Sequence, residues 1–407
     1  MRPARRRSGR GVPNDKTGRK TAMKSTIRAA ALAAFGAAAT LGAAGAPAEA
    51  ANLRFAVGSP PNSLGDNAAN YFAEKLNEFS GGEVTAKIYP LSLLNLMESN
   101  TGLRDGIADI ATVLWPYFLA EYPETNLAAE LAALSELVDG NKKQATLAYL
   151  GAVSEYVALH CPECREETLA QNQVFLAGLG TSAYILQCMK KVTTVEDMKG
   201  LRIRAGGAWW TRWANAMGAT PVSMSINETF EGLSQGVLDC TASNPAELTQ
   251  FGFIDAVEHI TTGVPGSSFA FGMGQMNRDT WLSLSDDEKT QVLHAAAYLS
   301  GDGIMAYFDD GEENVGKLAP EKGIEIYEAD PALVAKSKAW IEEDLASLGA
   351  SYEERFEIKD AAAKTATLRK LIDEWLPRME GVETRDQLAE VLWENVQSKI
   401  DVATYGR

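Results

Sequence analysis

Arg204 is the residue of this chain whose setting best suits the binding of an anion. Residues 201–204 read Leu-Arg-Ile-Arg, and this alternation of apolar and basic side chains has the period of a β-strand. The Ala-Gly-Gly at 205–207 then breaks the strand and exposes its last side chain. Because a guanidinium can donate to both oxygens of a carboxylate, the pattern predicts a carboxylate-binding site at Arg204. Arg202 better suits a surface ion pair.

The elements that must position Arg204 are those of an α/β domain. The sequence predicts, in order, a helix over 208–217, a short edge strand over 222–224, a helix over 227–236 and a strand that ends at Asn244. In open α/β sheets, ligands bind beyond the carboxyl ends of the strands. We therefore expect Asn244, whose amide can both donate and accept hydrogen bonds, to lie beside Arg204. The alternative is a turn residue that precedes Pro245.

The first part of the chain predicts a strand-helix-strand unit of the same type. Its strands are predicted over 52–57 and 84–89, its helix over 66–79, and a further strand over 107–114. Four loops are expected to converge on one cleft, those after Val57, Leu114, Arg204 and Ala242.

The order and the joints of these elements resemble the extracytoplasmic solute-binding proteins of tripartite ATP-independent periplasmic (TRAP) transporters, the DctP-like subunits. The matching segments are residues 196–204 (Glu-Asp-Met-Lys-Gly-Leu-Arg-Ile-Arg), 217–222 (Met-Gly-Ala-Thr-Pro-Val), Glu228 with Phe230, 233–239 (Leu-Ser-Gln-Gly-Val-Leu-Asp) and Asn244-Pro245. The resemblance covers roughly residues 52–310. It implies an α/β, two-lobed periplasmic binding protein (type II-like), with mixed sheets flanked by helices and a long helix bridging the lobes.

A frame of the form Leu-x-x-Gly-x-x-Asp occurs twice, at 103–109 and at 233–239. Each copy lies at the end of a predicted helix and before a predicted strand, where glycine provides the left-handed closing residue. The repetition favours two similar lobes over an ordinary helix-to-strand connection that occurs twice by chance.

The predicted domain organisation has three parts. Residues 1–50 form a secretory signal peptide, because a basic stretch and an alanine-rich apolar run precede Ala-Glu-Ala at 48–50, and Met23 is a possible true start. The first lobe comprises residues 51–180 plus 272–312. The second lobe comprises residues 181–271 plus 313–407, which include the C-terminal helices. The helix expected to span the lobes is 286–315.

Charge and hydropathy restrict the location and the partners of the mature protein. The whole chain has a formal net charge of −16, and residues 1–50, with ten Lys or Arg and two Asp or Glu, leave −24 for the remainder. Such a surface repels nucleic acid. No later segment has the roughly 20 consecutive apolar residues of a spanning helix, so we expect a periplasmic protein that is not membrane-embedded.

The four cysteines, Cys161, Cys164, Cys188 and Cys240, are expected to form structural disulfides in an exported chain. The sequence does not decide which of three pairings is used. The alternative for Cys161 and Cys164 is a redox Cys-x-x-Cys, whose chemistry needs a helix N-terminus that follows a strand.

The resemblance assigns the ligand contacts. Arg204 matches the carboxylate-clamping arginine of the family, and Asn244 matches its asparagine before proline. Many relatives carry a second arginine where this chain has Tyr184. The further candidate contacts are Trp209, Trp115, Phe230, Ser59 and Asn62. Aromatic walls with a single arginine favour a bulky or aromatic monocarboxylate over a small dicarboxylate.

The predicted function is therefore that of the periplasmic substrate-binding subunit of a TRAP transporter. It would capture a small-molecule organic acid between two lobes and deliver it to the small and large membrane permease subunits, which an ion gradient drives. Catalysis, a cofactor and a metal are not expected. The alternatives are a periplasmic thiol-disulfide redox enzyme that uses Cys161 and Cys164, or a ligand-binding protein that feeds a sensor.

Overall fold

The computed structural model describes residues 51–137, 141–264 and 266–407. The predicted signal peptide, residues 1–50, lies outside the described residues. Within the described part of the chain, no helix combines the length and the apolar character that a membrane crossing requires.

The strands are β1 (Ala51–Val57), β2 (Val84–Pro90), β3 (Ile110–Val113), β4 (Gln173–Gly180), β5 (Ile185–Cys188), β6 (Arg202–Ala205), β7 (Thr220–Ser223), β8 (Cys240–Ser243), β9 (His259–Thr262), β10 (Ala270–Asn277) and β11 (Glu325–Glu328). The helices are α1 (Leu64–Phe79), α2 (Ser99–Arg104), α3 (Pro123–Glu130), α4 (Lys142–Glu155), α5 (Pro162–Ala170), α6 (Ala208–Met217), α7 (Ile226–Ser234), α8 (Glu247–Gln250), α9 (Arg278–Ser283), α10 (Asp286–Glu313), α11 (Ala319–Glu321), α12 (Pro331–Phe356), α13 (Ala361–Trp375) and α14 (Arg385–Asn395).

The strands form two mixed sheets flanked by helices, as predicted. The first sheet has the order β2-β1-β3-β10-β4, and the second has the order β11-β9-β5-β8-β6-β7. In the first sheet β10 runs antiparallel to both neighbours, β3 and β4. In the second sheet β5 runs antiparallel to β8 and β9, while β6 is parallel to β7 and β8.

Two segments connect the sheets side by side. Residues 181–184 lead from β4 to β5, and the described residues 263–264 and 266–269 lie between β9 and β10; we call these two sets the crossing segments. The amide of Thr181 donates to the carbonyl of Phe269 at 3.0 Å, and the amide of Tyr184 donates to the carbonyl of Ser267 at 3.3 Å. The crossing segments are therefore hydrogen-bonded to each other.

Helix α10 bridges the two sheets, which confirms the predicted spanning helix. Its body packs on α1 and β4 on the side of the first sheet. Just beyond its C-terminal end, Asn314 Nδ2 donates at 3.0 Å to the carbonyl of Pro245, which follows β8 of the second sheet. A capping box of Ser285 and Glu288 fixes its N-terminus.

The repeated Leu-x-x-Gly-x-x-Asp frame has the same contacts in both copies. The carboxylate of Asp109 accepts from the backbone amide, Nε and Nη2 of Arg54 in β1. The carboxylate of Asp239 accepts from the same three groups of Arg202 in β6. The guanidinium of Arg202 also donates to the carbonyl of Gly236, the frame's glycine. The frame thus pins a helix-to-strand turn to the neighbouring strand once in each half, and Arg202 has the ion-pair role predicted for it.

The C-terminal helices form an added layer that contacts both halves. Helix α13 packs on α4 and helix α14 on α10, whereas α12 packs on α3 and α6. Arg212 of α6 pairs with Glu130 of α3 and with Asp344 of α12 at 2.8 Å each. Residues 313–407, predicted to belong with the second lobe, thus also include two helices, α13 and α14, that cover helices on the side of the first sheet.

The four cysteines form two disulfides, Cys161–Cys164 and Cys188–Cys240. Cys188 and Cys240 are direct partners in the antiparallel pair of β5 and β8. The structure thus decides the pairing that the sequence left open.

Candidate functional site

The candidate site is a cavity lined by residues of both halves, with an empty volume of about 560 Å³ when its open mouth is included. A residue at or beyond the end of each of the four strands whose loops were expected to converge lines it: Ser59, Tyr117, Arg204 and Glu247. Further lining comes from α10 and from the crossing segments. Its aromatic lining residues are Tyr117, Tyr184, Phe251, Phe269, Phe271 and Tyr307.

Arg204 is the cationic group of this cavity and is 1% exposed. Its Nε donates to the carbonyl of Met224 at 3.0 Å, and its Nη2 donates to the Tyr117 hydroxyl at 2.7 Å. Its Nη1 is buried and has no hydrogen-bond partner among the described residues. A buried donor without a partner is costly, so Arg204 is prepared to bind an acceptor that enters the cavity.

Gly206 leaves room for the guanidinium of Arg204. A Cβ atom at position 206 would lie 2.8 Å from Nη1 and 2.9 Å from both Cζ and Nη2. Any larger side chain would therefore displace the charged group. Gly206 therefore has two roles: it helps to end the strand, and it allows the Arg204 guanidinium to approach the backbone closely.

Tyr117 connects the two halves across the cavity. It ends a short 3-10 helix, Trp115–Tyr117, directly after β3 of the first sheet. Its hydroxyl accepts from Arg204 Nη2 and, at 3.0 Å, from the backbone amide of Ile226 in the second half. Tyr117 is not among the contacts predicted from the sequence, although the predicted loop after Leu114 contains it.

Glu247 places a carboxyl group in the same cavity and is 6% exposed. Its Oε2 accepts from the backbone amide of Asn244 at 3.1 Å. Burial raises the pKa of the Glu247 carboxyl to about 7, although the charge of Arg204 and hydrogen bonds from Asn244 and Ser243 act in the opposite direction. Glu247 is not among the contacts predicted from the sequence, in which its one signal is its position three residues after Asn244.

The raised pKa of Glu247 predicts a pH-dependent stability. Folding favours the protonated carboxyl, so its contribution is fully present below the ordinary value of 4.5 and is lost as the pH rises through 7. We expect this group to lower the free energy of unfolding by about 3 kcal/mol between pH 4.5 and pH 8. Urea unfolding of the wild type and of Glu247→Gln across this range measures it. An equally steep pH dependence in both proteins would contradict the assignment.

Tyr184 lines the cavity, as expected for a candidate contact. Its ring stacks on Trp210 with centroids 4.9 Å apart and faces Phe269 at 6.0 Å. Burial raises the pKa of its hydroxyl well above the ordinary value, so the group stays neutral. A neutral phenol thus stands where many relatives carry a second arginine. Arg204 is left as the cation among the described cavity residues.

Asn244 lies beside the cavity but does not line it in this structure. Its Nδ2 donates to the carbonyl and the hydroxyl of Ser182 at 2.9 and 2.7 Å, and its Oδ1 accepts from the amide of Ala246 at 2.8 Å. The residue is fully buried. These contacts favour the alternative of a turn residue, which ties a crossing segment to the turn that carries Glu247.

The two predicted tryptophan contacts, Trp209 and Trp115, lie outside the lining of this cavity. The Trp209 ring packs against Trp340 of α12, with centroids 5.2 Å apart. Trp115 is 1% exposed and packs against Phe175 of β4. Both indoles fill the interior because helices and strands distant in sequence cover them. Phe251, Phe269 and Phe271 form the aromatic wall instead.

Of the remaining candidate contacts, one lines the cavity and two do not. Ser59 lines the cavity next to α1. Asn62 is exposed in a left-handed turn at φ 62, where its amide donates to Asp66. Phe230 is half-buried near Gly252 and does not line the cavity. The structure therefore brings together Arg204, Tyr184 and Ser59.

The Cys161–Cys164 pair gives no support to redox chemistry. Cys161 caps the N-terminus of α5, but the segment before it is helical rather than a strand. The two cysteines are 1% and 0% exposed. Among the described residues, no cluster of His, Cys, Asp or Glu could hold a metal ion.

Comparison with known families and curated proteins gives a consistent match. A family model described as bacterial extracellular solute-binding protein, family 7 (DctP) matches residues 55–351. A solute-binding protein of Roseobacter denitrificans is 23% identical over 326 residues, which cover 77% of this chain and 85% of the relative. A solute-binding protein of Albidiferax ferrireducens is 22% identical over 275 residues, which cover 67% of this chain and 77% of the relative.

Solved structures share the fold. A TRAP periplasmic solute-binding protein of Bordetella bronchiseptica with bound (R)- and (S)-mandelate is 22% identical, with a TM-score of 0.66 over 79% of this chain and 99% of its own. A Bordetella pertussis extracytoplasmic solute receptor binding pyroglutamic acid is 20% identical, with a TM-score of 0.64 over 79% and 100%. A marine metagenome TRAP protein in complex with 3-hydroxybenzoate is 21% identical, with a TM-score of 0.68 over 80% and 98%. The likeness confirms the predicted two-lobed α/β fold.

Proposed function

Because the chain belongs to bacterial extracellular solute-binding protein family 7, the DctP family of TRAP transporters, we propose that it captures an organic monocarboxylate with a bulky or aromatic body. The family's members are periplasmic receptors that work with membrane permease subunits. The proposed role is binding and delivery to the small and large permease subunits, without catalysis. The observation that carries the proposal is the unpartnered Nη1 of Arg204, buried at a cavity with an aromatic wall.

The cavity chemistry fits an acid of this class. Arg204 offers a charged donor to the carboxylate, and the Tyr117 hydroxyl already accepts two hydrogen bonds, which leaves its proton for a ligand oxygen. Phe251, Phe269 and Phe271 supply an apolar surface for the rest of the molecule. A second carboxylate would find no further cation among the described lining residues. These features favour a monocarboxylate over a dicarboxylate.

Contacts between the halves support capture by closure. Asn227 Nδ2 donates at 3.1 Å to the carbonyl of Gly58, and the amide of Leu64 donates at 3.3 Å to Gln250 Oε1. Both bonds join the first half to the second at the edge of the cavity. A ligand that contacts both halves would add to them and shift the population towards the closed form.

A binding screen tests the proposal. We expect the purified protein to gain about 2.7 kcal/mol of stability at a ligand concentration 100 times the dissociation constant. Thermal unfolding is measured with aromatic monocarboxylates, lactam acids, small dicarboxylates and sugar acids, and small-angle X-ray scattering checks that the radius of gyration falls with ligand. Stabilisation by dicarboxylates alone would contradict the proposed preference for monocarboxylates. Stabilisation by none of the acids would contradict the proposed binding function.

The relatives' ligands guide the choice of probes. Mandelate, pyroglutamic acid and 3-hydroxybenzoate are each bound by one of the structurally similar proteins described above. Each has a carboxyl group on a compact ring-bearing body. They are the first acids to test on this chain.

A further inference from the structure

Glu247 is an unusual component of a site for an anion. The same cavity contains Arg204, yet the two side chains form no salt bridge in the described structure, since the guanidinium donates to Met224 and Tyr117 instead. A carboxyl group placed near a bound carboxylate would repel it if both were ionised. A ligand group that donates a hydrogen bond to the Glu247 carboxyl would offset this repulsion.

We propose that Glu247 selects acids that carry a hydrogen-bond donor, a hydroxyl or an amide N–H, close to the carboxylate. This inference rests on the proposed function and narrows its substrate class. Arg204 holds the carboxylate of the ligand, and the Glu247 carboxylate accepts from the donor. An acid without such a donor displaces water from the cavity and gives Glu247 no hydrogen bond in return, so that only the bond from the Asn244 amide remains.

The environment of Glu247 supports the role of an acceptor. Its Oε2 accepts from the backbone amide of Asn244 in the neighbouring segment at 3.1 Å. This bond holds the carboxyl in place without a salt bridge. A charged acceptor that is already positioned forms a stronger hydrogen bond than a neutral one. The protein has therefore fixed the acceptor before the ligand arrives.

The other polar groups near Glu247 do not impose the same choice. Tyr184 and Tyr307 line the cavity near it, and burial keeps the pKa of both phenols above the ordinary value. A neutral phenol both donates and accepts, so it tolerates either kind of ligand group. The Glu247 carboxyl, with its pKa raised to about 7, is partly ionised at neutral pH, and a ligand donor favours the ionised form, which only accepts. Glu247 is thus the described lining residue that favours a hydrogen-bond donor of the ligand over an acceptor.

The test compares two pairs of acids that differ by one donor. Mandelate has a hydroxyl that phenylacetate lacks, and pyroglutamate has an N–H that is methylated in N-methylpyroglutamate. We expect calorimetry on the wild type to show about ten- to hundredfold tighter binding of the donor-bearing acid in each pair that binds. In Glu247→Gln the ratio should fall roughly tenfold, because a neutral carbonyl replaces the carboxylate. Glu258→Gln, the same change at an exposed position, should leave the ratio unchanged.

The outcomes separate this inference from the proposed function. Equal binding of both members of a pair by the wild type, or an unchanged ratio in Glu247→Gln, would overturn the role of Glu247 while the acid-binding function stands. A purely structural role would weaken both acids equally. If the screen returns another acid, its O-methyl or N-methyl derivative replaces the donor-free partner, and a best ligand without any donor overturns the inference. Failure of the wild type to bind any acid overturns the function itself.

Discussion

Replacement of Arg204 by alanine is expected to weaken the binding of the carboxylate ligand by about thirtyfold to several thousandfold. Loss of one partner from a buried, hydrogen-bonded charge pair costs about 2–5 kcal/mol, and each 1.4 kcal/mol is a tenfold change in affinity. Arg204 is buried at the cavity with one nitrogen unbonded. The ligand carboxylate would then face Glu247 with no compensating cation. Titration calorimetry of the purified variant measures the loss.

Arg202→Ala is the matched control for this experiment. Arg202 lies two residues earlier in β6, but its guanidinium pairs with Asp239 and its side chain is 43% exposed. We expect its removal to leave the affinity within about twofold, because surface ion pairs contribute only about 0–1 kcal/mol. Circular dichroism would establish that both variants are folded. An Arg204→Ala protein that binds its acid as tightly as the wild type would refute the assignment of the cation.

Removal of the Cys188–Cys240 disulfide is expected to lower the free energy of unfolding by about 4 kcal/mol. A disulfide stabilises chiefly by restricting the unfolded chain, and this one closes a loop with a sequence separation of 52. It joins β5 and β8 within the second sheet, where the adjoining residues at the other end of the strands lead to Tyr184 and Asn244. Urea unfolding of a Cys188→Ser, Cys240→Ser double variant measures the loss.

The second disulfide provides the comparison. Cys161–Cys164 has a sequence separation of only 3, so its removal should cost about 2 kcal/mol by the same reasoning. Ligand affinity should change little in either double variant, since none of the four cysteines lines the cavity. Equal losses of stability in the two variants would contradict the loop-entropy explanation.

Local pattern was sufficient to predict most of the elements. The helix over 208–217 has the predicted bounds, and the strands near 52–57 and 84–89 differ from prediction by one residue at an end. Period and turn residues are properties of a short segment, so one sequence reveals them. The position of Arg204 in the cavity followed from the same kind of evidence.

Contacts between distant parts of the chain could not be predicted. Trp209 follows Arg204 closely in sequence, but its ring packs against Trp340, 131 positions further along the sequence. Glu247 has no local feature that separates it from the other carboxylates of the chain. Only the tertiary packing of its turn beside the cavity distinguishes it from the exposed Glu258. Neither the partner nor the packing has a local signal.

The crossing segments have a mechanical consequence. Helix α10, 28 residues long, is shared by both halves and spans about 42 Å as a stiff rod. Any rotation of one sheet against the other would therefore have to be absorbed mainly by backbone dihedrals in the crossing segments. Thr181, Tyr184 and Phe269 belong to these segments and also line the cavity. A ligand in the cavity would thus contact the segments that must bend, and would restrain the motion without a relay through intervening residues.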